Sequence, residues 1–240
     1  MTTPEAAAPL PLKGAEARGS KPTCVGLDGP RNGRVSRPCG LQGPPAAWQS
    51  QFRGGCLTIP DMQTLSITRR SAGVAQITMS RAEVFNAFDE AMIAELDAAF
   101  AALIDDDGVR VIVLAGDGRH FSAGADLQWM QRASEASQEW NLQDARKFAA
   151  MLSRIESCPK PTVARVQGAA LGGGVGLACA CDIAIADDNA SFSVSEAKFG
   201  ILPAVIGPYV TNAVGKRHAK RLALTTARID ALLGLAVWVG

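Results

Sequence analysis

The 240-residue chain carries a formal net charge of +1, with 48% apolar and 20% charged residues, the balance of a globular domain large enough for a substantial core. Scattered Lys and Arg give no basic face for nucleic acid or an anionic membrane surface. No apolar run approaches the roughly 18–20 residues of a membrane span; the longest candidate, residues 168–187, is broken by five glycines and Asp182.

Residues 1–61 hold nine of the thirteen prolines, nine glycines and three of the six cysteines. PLPLKG, LDGPRNGR and LQGPPAAW are turn and breaker chemistry without periodicity, and they predict a disordered or non-native extension ahead of a folded part that starts at Met62. No apolar segment follows the start as a secretory signal requires. Arg outnumbers the acids there, which leaves a mitochondrial transit peptide as the alternative to a cytoplasmic protein.

From Met62 the pattern changes. TLSITRR (64–70) and GVAQITMS (73–80) alternate apolar and polar around Ser-Ala-Gly and predict a hairpin. FDEAMIAELDAAFAALIDDD (88–107) places Met92, Ile93, Leu96, Phe100 and Leu103 on one helical stripe. GVRVIVLAG (108–116) is a continuous apolar run, the mark of a strand buried on both faces. After the small-residue loop HFSAGADL (120–127), a helix is expected over about 138–156 and a strand over PTVARVQG (161–168). GGGVGLACACD then opens a short helix, IAIADD and SFSV are short strands, and a helix covers about 208–226. Strands alternating with helices argue for an α/β fold with parallel pairing. Cys179 and Cys181 lack a neighbouring His or second Cys pair, so they are read as small buried hydrophobes in a reducing compartment.

Two stretches carry chemistry. In HFSAGADL, and again in GAALGGGVGLACACD (168–182), a strand runs out, small residues follow and a helix begins. Small side chains leave the backbone open to a ligand oxygen, and N–H groups at a helix start are unpaired and carry the positive end of its dipole. There is no GxxxxGK[ST], and no GxGxxG with a following acid about twenty residues on. Two such turns in one domain therefore suggest a pair of N–H donors converging on one oxygen.

HFSAGADL, then PTVARVQGAALGGGVGLACACDIAIA, then SFSVSEAKFGILP resemble the crotonase (enoyl-CoA hydratase/isomerase) family over about residues 62–228. RAEVFNAF (81–88) looks like that family's early CoA-contacting loop, with Ala82 where a Pro is usual. The resemblance implies a crotonase-like ββα spiral, an acyl-CoA thioester substrate, no cofactor beyond the coenzyme A of that substrate, no metal, and a homotrimer or hexamer. It further implies that the N–H groups of Ala125 and Gly173 hold the thioester oxygen. Arg81, Glu83, Val84, Ala87, Ala123, Asp126, Leu127 and Gly172 would then line the CoA and acyl path. Of the two glutamates common in hydratases, one falls on Gly176 and is missing; the other is Glu196, the acid/base. Its pKa would have to be raised by burial for the acid role.

Gly176, with PAVIGPYVTNAVG (203–215) where many members have a PGGGGTQRL-like stretch, is similar to the branch hydrating 3-methylglutaconyl-CoA in leucine breakdown; branched glutaconyl-CoA hydratases of terpenoid degradation share this look. His120 is expected to be a structural hydrogen-bonder, and Trp129 and Met130 to be pocket wall or core. The family continues beyond the helix near 216–226 with closing helices. ARIDALLGLAVWVG here predicts a truncated end, with the lid absent. An isomerase, and an inactive acyl-CoA-binding remnant, are the rival expectations.

Overall fold

The computed structural model describes residues 62–239; the expectation of an extension over residues 1–61 lies outside the described residues. Strand β1 (Leu65–Arg70) pairs antiparallel with β2 (Val74–Met79) as the alternation requires. The connecting turn uses left-handed Ala72 and Gly73, at φ 67° and 77°. Asp89 caps α1 (Glu90–Ile104) by accepting from the N–H groups of Ala91 and Met92, so this helix starts two residues later than periodicity alone suggests. All five stripe residues of α1 are buried. At its far end the Lys160 ammonium donates to the Leu103 and Asp106 carbonyls, at 2.7 and 2.6 Å.

β3 (Val111–Gly116), β4 (Thr162–Val166) and β6 (Ile183–Ala186) complete a five-stranded sheet in the order β1-β2-β3-β4-β6, parallel from β2 onward. The helical crossovers include α2 (Leu127–Glu135) and α3 (Gln138–Glu156) between β3 and β4, and α4 (Gly173–Ala180) between β4 and β6. Ile77, Met79, Leu96, Phe100, Ile112, Leu114, Met151 and Leu152 form a fully buried core where α1 and α3 pack over the sheet. After β6 come β7 (Ser191–Ser193), α5 (Gly207–Thr225), β8 (Ile229–Asp230) and α6 (Ala231–Val239). A second, small sheet has the order β5-β7-β8, with β5 (Ala169–Leu171) parallel to β7.

The chain thus repeats one unit: a strand of the large sheet, a short extended segment at the side, then a helix. The short segments lie next to one another. Phe88 forms a parallel bridge with Ala125, Ser122 one with Ala170, and β5 pairs with β7. The α/β spiral expected from the sequence is the fold observed.

One local expectation changes, that for β3, and three local features go beyond those expectations. Helix α2 is not visible as a long apolar stripe; it forms because Asp126 accepts from the N–H groups of Gln128 and Trp129. β3 is fully covered on one face only, since Val111 and Val113 are half-buried. β6, apolar in sequence, sits at the sheet edge with Ile183 and Ile185 51% and 59% exposed; composition does not distinguish an edge from a centre. The apolar stretch Ala231–Val239 forms helix α6.

Leu114 is fully buried at the centre of the parallel sheet, so Leu114→Ala is expected to cost about 2–5 kcal/mol, measured by urea unfolding of the whole chain.

Candidate active site

The HFSAGADL loop is laid between two neighbours as if it were a strand. On one side, Ala123 N–H donates to Phe85 O, Phe88 N–H to Gly124 O and Asp126 N–H to Phe88 O, at 2.9, 2.9 and 3.0 Å. On the other, Ser122 N–H donates to Ala169 O and Leu171 N–H to Ser122 O, at 3.1 and 2.9 Å. Gly124 N–H is taken by Ser122 Oγ. The Ala125 N–H is left without a protein acceptor among the described residues.

Gly173 begins α4, so its N–H also lacks an intrahelical partner. The two groups are neighbours: a Cβ on Gly124, the residue preceding Ala125, would lie 3.4 Å from the Gly173 nitrogen and 2.6 Å from Leu171 O. Gly124 has φ 88°, so both its conformation and this close approach exclude a side chain. A Cβ on Gly173 would collide with the Phe88 ring, which packs with Trp129 and Phe148 at centroid distances of 6.1 and 5.1 Å. Small residues are required here because three backbone segments meet.

Glu196 reaches the same place from the other side. Pairing of β5 with β7, and the Gly172 N–H bond to Ser193 O at 2.8 Å, bring residues 193–196 alongside the start of α4. A Cβ on Gly172 would lie 3.2 Å from Glu196 Oε1 and 3.2 Å from Ser195 Oγ. Glu196 Oε2 is buried and has no hydrogen-bond partner. Burial raises the Glu196 carboxyl above the ordinary carboxylate range, partly offset by the backbone N–H groups of Glu196 and Ser195. A carboxyl that holds its proton more tightly than usual, beside two unpaired N–H donors, can exchange a proton with a substrate whose oxygen those donors hold.

Of the residues expected at the site, Ala125, Gly172, Gly173 and Glu196 come together. Arg81, Ala87, Ala123 and Asp126 lie in the adjoining 81–88 and 120–126 segments. Glu83 is exposed, Val84 is half-buried and Leu127 is 71% exposed, so these three stand at the solvent margin. Gly176 is filled from outside: a Cβ there would collide with the Ile206 side chain at the start of α5.

Sequence reasoning did not single out Asn86, Phe88 or Ile206. Asn86 is fully buried and left-handed, at φ 53°. It donates to the Asp117 and His120 carbonyls and accepts from Arg81 N–H. Asn ahead of two small or aromatic residues, tolerant of the left-handed region, was the available signal.

His120 Nδ1 accepts the Ala169 N–H at 3.1 Å, and burial followed by the Arg119 and Arg228 charges lowers its pKa, the structural hydrogen-bonder expected. Burial pushes the Cys179 and Cys181 thiols up to about 12, which removes them as nucleophiles at neutral pH. No group of three or more His, Cys, Asp or Glu among the described residues could hold a metal.

Known proteins share this arrangement of segments. Residues 69–232 match the enoyl-CoA hydratase/isomerase family profile. The chain belongs to that family. An enoyl-CoA hydratase of Shewanella pealeana aligns with a TM-score of 0.72 at 44% identity, over 75% of this chain and 67% of its own. Pseudomonas aeruginosa AtuE aligns at 0.71 and 42% identity, over 74% and 68%. A mitochondrial Δ(3,5)-Δ(2,4)-dienoyl-CoA isomerase of Dictyostelium discoideum is 33% identical over 186 residues, 73% of this chain and 63% of its own. The chain spans just under two thirds, 62–63%, of the length of such curated relatives.

His120 binds protons less readily folded than unfolded, where the pKa is about 6.5. Its contribution to stability is therefore present above that value and is lost as pH falls through the lower folded value. Thermal melts of the native chain should show this decline on acidification, and His120→Gln should remove that part of it.

Proposed function

We propose that the chain is a lyase that adds water across the double bond of a 2-enoyl-CoA. The N–H groups of Ala125 and Gly173 hold the thioester oxygen as negative charge develops. Glu196 serves as the acid/base. The single observation that carries this reading is the buried, unpartnered Oε2 of Glu196, with Oε1 against Gly172 one residue before the Gly173 donor. Each such donor in a water-poor site is worth roughly 2.7–4 kcal/mol of barrier.

The acyl group we favour is 3-methylglutaconyl, on the strength of Gly176 and the 203–215 segment. A second reading, an enoyl-CoA isomerase, is favoured by the Ile206 side chain standing where a second acid would project from position 176. One carboxyl can move a proton between two carbons without activating water. The dienoyl-CoA isomerase relative supports keeping this alternative.

Loss of conjugated-thioester absorbance on mixing with 3-methylglutaconyl-CoA, with crotonyl-CoA alongside, tests the reaction, and 18O from solvent appearing in the product separates hydration from isomerisation. Turnover of neither ester by the folded chain defeats both readings. Glu196→Gln is expected to lower turnover by about 10²–10⁴ while leaving ester binding near normal. It also removes a carboxyl whose pKa is raised on folding. The wild-type carboxyl weakens the fold as pH rises through that raised value. The variant should therefore melt above wild type at pH 8, with the gap closing as the pH falls towards about 4.

A further inference from the structure

We infer that Arg81 is a positioning residue for the Ala125 donor, acting through Asp126, rather than a contact for coenzyme A; the inference rests on the oxyanion-binding role assigned above. Both terminal nitrogens of its guanidinium are committed inward. Nη1 donates to Ala87 O at 2.7 Å and lies 3.1 Å from the Asp89 carboxylate, and Nη2 donates to Asp126 Oδ2 at 3.0 Å. Its side chain is only 19% exposed. Asp126 is equally committed, with Oδ1 accepting from the Gln128 and Trp129 N–H groups.

The placement of these partners gives the contact its consequence. Asp126 follows Ala125 and caps α2; Asp89 follows Phe88 and caps α1. Phe88 holds the Ala125 peptide from both sides, donating to Gly124 O and accepting from Asp126 N–H. One guanidinium therefore ties together the downstream ends of both segments in the Phe88–Ala125 bridge and, through Ala87 O, the residue ahead of Phe88. A donor displaced by about an ångström loses much of its effect on a developing oxyanion.

Charge adds a second consequence. A carboxylate one residue past the donor opposes the negative charge that the donor must stabilise. In a partly buried setting that repulsion is poorly screened. The Asp126 side chain is 12% exposed, and the Arg81 charge at its Oδ2 offsets it.

The measurement is the red shift of an aryl-conjugated enoyl thioester, cinnamoyl-CoA, on binding; the shift reports polarisation of its carbonyl and is read at saturation, with the dissociation constant from the same titration. Arg81→Gln is expected to reduce the saturating shift to less than about half of wild type while the dissociation constant changes less than about threefold. Arg81→Gln/Asp126→Asn should regain part of the shift, because the uncompensated carboxylate is gone and the amide oxygen still caps α2. A purely structural Arg81 would not give that recovery. Arg81→Lys keeps the charge but has one donor head for three partners; it should show the same loss to a smaller degree, and it serves if the Gln variant does not fold. A wild-type shift retained in Arg81→Gln with weakened affinity overturns the inference in favour of a coenzyme contact, and a double variant no better than the single overturns the charge compensation. Absence of any shift in wild type defeats the oxyanion reading itself, which separates that failure from this one.

Discussion

The ladder of short parallel segments at the side of the main sheet is the constraint on which the site depends. Residues 85–88, 122–125, 169–171 and 191–193 lie side by side, joined by main-chain hydrogen bonds that leave little freedom in register. Each segment follows a strand or the turn after one, and three of the four lead directly into a helix start. The ladder therefore gathers helix N-termini and the residues preceding them into one small volume. Main-chain bonds saturate nearly everything along the way, so the N–H groups left over are confined to the places where one segment ends and a helix begins. Buried backbone groups are ordinarily paired, and an unpaired group at such a convergence is available to a substrate oxygen.

Packing at this convergence explains the composition of both small-residue stretches. Gly124 meets Leu171 O, Gly173 meets the Phe88 ring, and Gly174 would place a Cβ 2.7 Å from Ser122 O. The space left bare at Gly173 is filled by the Phe88 ring, which packs with Trp129 and Phe148. The site is thus a layer of bare backbone supported by a layer of large rings, and the two depend on each other.

Glu196 runs against the stability of the fold. A buried carboxyl oxygen without a partner carries a desolvation cost that an apolar residue would avoid, and the raised pKa is the same cost expressed as proton affinity. The neighbouring position 176 resolves the matching problem differently: no acid is present, and Ile206 fills the space. Position 176 of α4 therefore faces the apolar Ile206 side chain, while the Glu196 carboxyl stands beside Gly172 at the start of the same helix.

Much of this was legible along the chain. The hairpin, the α1 stripe, the span of α3 and the parallel alternation of strands follow from apolar periods of two and 3.6, while Ala125, Gly173 and Glu196 were pointed to by the family resemblance of their motifs, and the fold brings these three positions into one region. Helix α2 was hidden because its start is set by one capping side chain rather than an apolar stripe. The exposure of Ile183 and Ile185 was hidden because an edge strand and a central one read alike. Periodicity and small-residue turns are properties of neighbouring residues, so reading them requires only the order of the chain. The pairing of Arg81 with Asp126, the junction made by Asn86 and the filling of position 176 by Ile206 join residues about 30 to 45 positions apart. Such contacts exist only once the spiral has closed, because it is the ladder, and no local preference, that brings those segments within hydrogen-bonding distance.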